Sequence, residues 1–150
     1  MQPSEWYHVA VVYDTEKKTA VIYVDGREQS RIEDYGNSEP VNVGKQTRGS
    51  DFMFKIGHSY GEPDYMERQL DGEICEVRIW NIARTQQEIY KNMYNIEDPE
   101  HVTGLCAYWK FNEGEGDIAK DYSGHGNDAK AYNKAVLWPA GIEVTQKNKE

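Results

Sequence analysis

The chain has 150 residues, which is the length of one domain and enough to bury a substantial hydrophobic core. Its formal net charge of −9 repels phosphate backbones and anionic lipid, which argues against nucleic acids and membrane surfaces as partners. No apolar run approaches the roughly 20 residues of a membrane-spanning helix, and the first residues lack the basic-then-apolar layout of a signal peptide.

The first third of the chain predicts two β-hairpins. Residues 6–13 are apolar and rich in Val, which is typical of a strand covered on both faces. A polar connection leads to a second strand over 19–24. Asp25 and Gly26 then form a strong turn signal, because Gly accepts a positive φ and Asp tolerates one. A third strand with weaker patterning is predicted over 27–33.

The middle of the chain is richer in loops. Gly and Pro residues interrupt 34–51 and leave room for one short strand around 41–43, and a further strand is predicted over 52–57. Residues 58–69 are polar, carry Tyr residues and are interrupted by Gly and Pro, so we interpret them as a long surface loop. Loops of this length often carry function.

A long strand is predicted over 70–80, followed by one short helix near 85–95. Thr85 and Glu88 fit a capping box, in which each side chain satisfies a backbone N–H at the start of the helix. These alternating strands and Gly-rich turns, with only one helix, predict an all-β sandwich.

The last third contains one strong strand over 104–111 and a Gly-rich loop over 112–128, and residues 145–150 are predicted to be a disordered tail. The two cysteines, Cys75 and Cys106, lie in predicted strands outside any CxxC motif. They are either buried free thiols or the partners of one disulfide.

Three groups of segments stand out: WYHVA at 6–10 with YVDG at 23–26, LDGEI at 70–74 with the strand and helix that follow, and GLCAYWKFNEG at 104–114 with DYSGHGND at 121–128. In these segments the chain resembles the laminin G-like modules of the concanavalin A-like lectin/glucanase superfamily. The first group is similar to the central hairpin of such a module. The middle group resembles its final strand and trailing helix, and the last group resembles its opening strand and loop.

The resemblance implies a jelly-roll β-sandwich of two antiparallel sheets that spans residues 1–150 as a single laminin G-like domain. The order departs from the usual one, because the opening strand comes last. Either the module is rearranged, or residues 1–95 are the later half of a domain truncated at its N-terminus and an accessory segment follows. In both cases the strands that normally precede Trp6 are missing. This predicts an open sheet edge through which a homodimer could form.

Catalysis is not predicted. Some relatives are β-glucanases, in which two Glu residues on one strand share a face and flank the scissile bond. Glu73 and Glu76 are three residues apart, so on a strand they point to opposite faces. Glu113 and Glu115 have suitable spacing but lie in the Gly-rich loop. A module related to glycoside hydrolases remains an alternative.

The resemblance also implies Ca²⁺ as a cofactor. Residues 121–128 offer carboxylates, an amide and flexible carbonyls, and Ca²⁺ takes about six to eight oxygen ligands. The candidate ligands are Asp121, Asn127 and Asp128. Cys75, a soft sulfur, occupies the position of a strand Asp in the family, which weakens the site. The alternative is a turn whose side chains bond to their own backbone.

Two loops combine aromatic and hydrogen-bonding side chains in the way that sugar binding requires, since sugar rings present C–H faces and hydroxyl groups. Their candidate ligand-binding residues are Tyr60, Asp64, Tyr65 and Arg68 in one loop, and Tyr35 and Asn37 in the other. Half-buried packing is the alternative role for these Tyr residues.

These observations predict a non-catalytic module that binds a glycan or a cell-surface protein. The module would belong to an exported multidomain bacterial protein, as a fragment without its signal peptide, and would be extracellular, on the cell surface or periplasmic. A structural or protein–protein interaction module without a small ligand is the alternative.

Overall fold

The computed structural model of the chain describes residues 5–34, 54–57, 70 and 72–131. The polypeptide divides into two compact units, one formed by Met1–Asn37 with Cys75–Glu150 and the other by Ser38–Ile74. Within the second unit, the N–H of Leu70 donates to the carbonyl of Gly57 (N···O 2.9 Å). All elements named below lie in the first unit.

The first sheet contains three antiparallel strands in the order β1 (Val9–Asp14), β2 (Thr19–Val24) and β3 (Arg27–Glu33). The turn between β2 and β3 has positive φ at both central residues, 49° at Asp25 and 70° at Gly26, which is the signature of a type I′ hairpin turn. Both predicted hairpins are therefore confirmed.

Successive residues of a strand point to opposite faces, and the two faces of this sheet differ in burial. On one face, Val21 and Tyr23 of β2 pack with Ile89 of the helix, and Ala10 and Val12 of β1 complete the cluster. The opposite face exposes apolar side chains, among them Val9, Val11, Ile22 and Ile32. The prediction that the first strand is covered on both faces is therefore wrong, because β1 is buried on one face alone.

Another antiparallel sheet, with two strands, pairs β4 (Val77–Trp80) with β5 (Leu105–Trp109). β5, in the segment that resembles an opening strand, thus lies beside β4, in the segment that resembles a final strand. Leu105 and Tyr108 of β5 pack with Ile96 to form a second buried cluster. A third sheet pairs the short strands β6 (Ile118–Ala119) and β7 (Ala129–Lys130).

The helix α1 (Gln86–Asn92) begins at the predicted capping box. The N–H of Glu88 donates to the Thr85 hydroxyl, and the Glu88 carboxylate accepts from the N–H of Thr85. A single 3₁₀ turn follows at Pro99–His101. Neither of these two described helices is long and apolar enough to cross a membrane.

Two further strand predictions need correction. The strand predicted over 70–80 is shorter, because β4 begins only at Val77 and the preceding Glu76 has a φ of +57°, which breaks the pleat. Residues 54–57, predicted as part of another strand, form none, and Gly57 has a φ of +78°. Elsewhere in the described ranges, antiparallel strands with one short helix confirm the all-β class.

The predicted strand around 41–43 and the predicted tail over 145–150 lie outside the described residues. Both cysteines are described. Cys75 and Cys106 are thiols, each half-buried, so the disulfide alternative is not adopted.

The Asp25–Gly26 turn yields a stability prediction. A methyl group on Gly26 would lie 2.8 Å from Cδ2 and 3.4 Å from Cα of Tyr90, whereas one on Gly114 would meet no heavy atom within 4 Å. Both glycines have positive φ, so Ala at either site carries a conformational cost of about 1–2 kcal/mol. We expect Gly26→Ala to lower the free energy of unfolding by roughly 1–3 kcal/mol more than Gly114→Ala, because only the former is overpacked.

Urea denaturation followed by circular dichroism measures this difference directly. Equal losses for the two variants would show that the Tyr90 contact adds nothing to the backbone cost at Gly26.

Candidate functional site

One of the two predicted sites lies within the part of the chain that the structure describes. The six candidate ligand-binding residues, Tyr35, Asn37, Tyr60, Asp64, Tyr65 and Arg68, lie outside the described residues. The three candidate calcium ligands, Asp121, Asn127 and Asp128, lie within the described loop between β6 and β7.

The Asp121 carboxylate is buried and accepts four hydrogen bonds. One oxygen, Oδ1, accepts from the backbone N–H of Tyr108 on β5 (3.0 Å) and of Ser123 (2.9 Å). The other, Oδ2, accepts from the Ser123 hydroxyl (2.9 Å) and the N–H of Asn127 (2.9 Å). Asp121 therefore fastens its own loop to the edge of β5.

The neighbouring candidates are engaged in the same way. The side-chain amide of Asn127 donates to the backbone carbonyl of Cys106 (2.9 Å). The backbone carbonyl of Asn127 accepts from the indole N–H of Trp109 (2.8 Å). Asp128 accepts from the N–H of Asp121 (2.8 Å). This pattern is the side-chain-to-backbone turn that the sequence allows as an alternative.

These contacts do not fit a calcium-ligand role for Asp121. An ionised carboxylate has about four lone-pair positions, and hydrogen-bond donors already take all of them. In the part of the chain that the structure describes, no group of three or more His, Cys, Asp and Glu side chains could hold a metal ion. Calcium binding by the chain stays a prediction, which a calcium titration of the melting temperature tests.

The ionisation of Asp121 follows from the same contacts. Burial by itself raises the pKa of the carboxyl group, but the hydrogen bonds from Ser123, Asn127 and Tyr108 outweigh it and hold the pKa below its ordinary value of 3.8. A carboxyl group whose pKa falls on folding stabilises the folded state above its unfolded pKa. That stabilisation is lost as the pH falls through the folded pKa.

We therefore expect Asp121→Asn to lower the free energy of unfolding at pH 7 by about 2 kcal/mol, since an amide cannot accept from all four donors. The loss should shrink as the pH falls from about 4 through the folded pKa, which lies below 3.8, because the stabilisation by the wild-type carboxylate disappears over that range. Chemical denaturation at pH 7 and pH 3 measures both effects.

Asp117→Asn provides the control, because Asp117 is a solvent-exposed carboxylate close by in the chain, with a surface ion pair to Lys130 (3.7 Å). Its effect should be below about 1 kcal/mol. Equal effects of the two substitutions would contradict the structural role of Asp121.

Glu76, one of the acids considered for catalysis, is fixed in a partly buried cluster. Its carboxylate accepts from the guanidinium of Arg78 and from the hydroxyl of Tyr108. Arg78 also donates to the carbonyl of Met93 (3.3 Å), and its guanidinium carbon lies 4.9 Å from the centre of the Tyr108 ring. Burial raises the pKa of Tyr108 to about 12, and the hydrogen bond to Glu76 acts in the same direction.

The acids of the Gly-rich segment are less constrained. Glu113 accepts from the N–H of Lys120 (2.9 Å), and Glu115 is exposed. Both lie in the stretch between β5 and β6 that belongs to neither strand, as the sequence predicts.

An open groove of about 540 Å³ lies between the β2–β3 turn and the first turns of α1. It is lined by Gly26, Arg27, Thr85, Gln86, Gln87 and Tyr90. The side-chain amide of Gln86 donates to the carbonyl of Gly26 (2.9 Å), which ties the two walls together. The Tyr90 side chain remains 54% exposed.

Sequence reasoning missed this groove. The alternation along the strands and the helix periodicity predict the hairpin and the helix that form the two walls. The hydrogen bond that joins these walls, however, links Gly26 and Gln86, which are 60 positions apart. The available signals were local ones, the Asp25–Gly26 turn and the capping box, and neither shows that the two segments meet.

Comparisons with known proteins give two matches. The sequence model of the concanavalin A-like lectin/glucanases superfamily matches residues 1–90. The crystal structure of a protein from Bacteroides ovatus ATCC 8483, described as a "putative carbohydrate binding protein", is similar with a TM-score of 0.65 and 30% sequence identity. The similarity covers 85% of this chain and 35% of that one, so the chain spans about a third of the length of that protein. No curated protein matches the sequence.

Proposed function

Because the chain belongs to the concanavalin A-like lectin/glucanases superfamily, we propose that it is a non-catalytic carbohydrate-binding module. The observation that carries the proposal is the similarity to the Bacteroides ovatus protein, at 30% identity over 85% of the chain. A match of that extent in both sequence and fold supports a shared class of ligand, although fold alone does not imply function.

The contacts of two described acids, Glu76 and Asp121, support the non-catalytic part of the proposal. Glycoside hydrolysis requires two carboxyl groups that face each other across the substrate. Glu76 is bound to Arg78 and Tyr108, and the carboxylate of Asp121 is saturated with hydrogen bonds. Neither acid is available as a general acid or nucleophile in this arrangement.

We further propose that the module belongs to a larger exported protein. The chain spans 35% of the neighbour's length, which supports a module within a multidomain architecture. We also propose that this protein is extracellular, on the cell surface or periplasmic. Its partner would be a glycan or a cell-surface protein.

A glycan array probed with the intact chain tests the proposed function. We expect binding to at least one class of glycan and no release of reducing sugar from the bound polysaccharide over hours. Isothermal titration calorimetry with the best glycan would then measure the affinity. Absence of binding to every glycan, with circular dichroism showing a folded chain, would overturn the proposal, and sugar release would replace it with the hydrolase alternative.

One observation favours an interaction module as the second candidate function. Val11 and Ile22 are cross-strand partners on the outer face of the first sheet and are 69% and 43% exposed. Among the described strands, β1 also pairs on one side only. An exposed apolar face beside an unpaired edge suits association with a second copy of the chain.

This second candidate predicts a concentration-dependent dimer in sedimentation velocity. Val11→Glu should shift the equilibrium to monomer, because it places a charge in the apolar contact. Gln29→Glu is the control. It adds the same charge as Val11→Glu, but at a residue of β3 that is already polar and exposed. A wild-type chain that stays monomeric at every concentration would exclude self-association.

A further inference from the structure

We infer that the groove between the β2–β3 turn and α1 is a subsite for one neutral pyranose ring of a glycan, with Tyr90 as the stacking platform and Arg27 as the hydroxyl-binding group. The inference rests on the proposed function and assigns it a place on the described surface. This site differs from the two loops predicted from the sequence.

The walls of the groove are held in place before any ligand arrives. The amide of Gln86 donates to the carbonyl of Gly26 (2.9 Å), and this hydrogen bond joins the turn to the helix. On the helix side, the reciprocal bonds of Thr85 and Glu88 fix the backbone where α1 begins. A preorganised site loses little conformational entropy on binding, which favours recognition of a small, weakly binding ligand such as a sugar.

Tyr90 has the position and exposure of a stacking residue. Its Cδ2 and Cβ would lie 2.8 and 3.2 Å from a Cβ at Gly26, so the absence of a side chain there lets the ring rest directly on the turn. The ring is thus supported on one edge while 54% of the side chain stays exposed. An aromatic face held in this way offers an apolar surface to the C–H face of a pyranose with little loss of rotamer freedom.

The groove also has hydrogen-bonding groups that the fold leaves available. Among the described residues, neither the guanidinium of Arg27 nor the amide of Gln87 has a hydrogen-bonding or ionic partner, and both residues are exposed. The fork of donors on Arg27 suits two neighbouring hydroxyl oxygens, and the Gln87 amide can donate and accept. The carboxylate of Asp121, by contrast, is not available to a ligand, because donors of the chain already fill its acceptor positions.

The size and charge of the site define its occupant. A volume of about 540 Å³ falls within the range of about 300–1,000 Å³ typical of small-molecule sites, and the open shape lets a longer glycan continue beyond it. Among the described residues that line the groove, Arg27 is the charged one, and its positive charge disfavours amino sugars. The net charge of −9 disfavours polyanionic glycans, so a neutral sugar is the occupant.

Titration of the intact chain with neutral oligosaccharides of glucose, mannose and galactose tests the inference, with affinities from calorimetry. We expect Tyr90→Ala to weaken binding of the best oligosaccharide by about tenfold and Tyr90→Phe to leave it within about twofold, because Phe keeps the ring. Arg27→Gln should weaken it by roughly tenfold. Lys91→Ala is the matched control, since Lys91 is the next residue of α1, is exposed and does not line the groove.

Amide chemical shifts provide a further readout that does not depend on a variant's stability. The sugar should perturb the backbone amides of Gly26, Gln86 and Gln87 more than that of Lys91. Binding by the wild type without these shifts, and with full affinity in Tyr90→Ala and Arg27→Gln, would overturn the subsite and leave the proposed function standing. Absence of binding by the wild type to every oligosaccharide would overturn both.

Discussion

The packing of Ile89 against Val21 and Tyr23 is the contact on which the groove between the β2–β3 turn and α1 depends. It exists because alternation along β2 directs these two side chains to the same face, and because the capping box starts α1 in the register that turns Ile89 towards them. Once the helix is docked, the Asp25–Gly26 turn lies beside its first turns. The groove is therefore a by-product of core packing.

The local features of the fold could be predicted from the sequence, whereas features set by distant contacts could not. The type I′ turn and the capping box each depend on neighbouring residues whose chemistry determines the backbone. The start of β4 depends on more than neighbouring residues. Glu76, just before β4, has a positive φ, and its carboxylate accepts from Tyr108, which belongs to another strand. The all-β class and the superfamily follow from many such local signals together and are confirmed.

The candidate sites illustrate the same limit in chemical terms. Carboxylate, amide and Gly residues in sequence are as suitable for a cation as for a turn, because both need oxygen acceptors at short spacing. Only the donors around Asp121 decide between these roles, and one of them comes from β5. Conversely, Tyr90 follows the helix periodicity of an ordinary surface residue. Its special position depends on a glycine in a hairpin that the sequence alone does not place beside it.

The Gln86–Gly26 hydrogen bond closes a stretch of chain 60 residues long, which contains the whole compact unit Ser38–Ile74. The entropy of closing a flexible loop grows only with the logarithm of its length, so doubling it costs about 0.6 kcal/mol. A change in length within the unit Ser38–Ile74, which contains neither β3 nor β4, should thus add only a small entropic cost to closing the contact between Gly26 and Gln86.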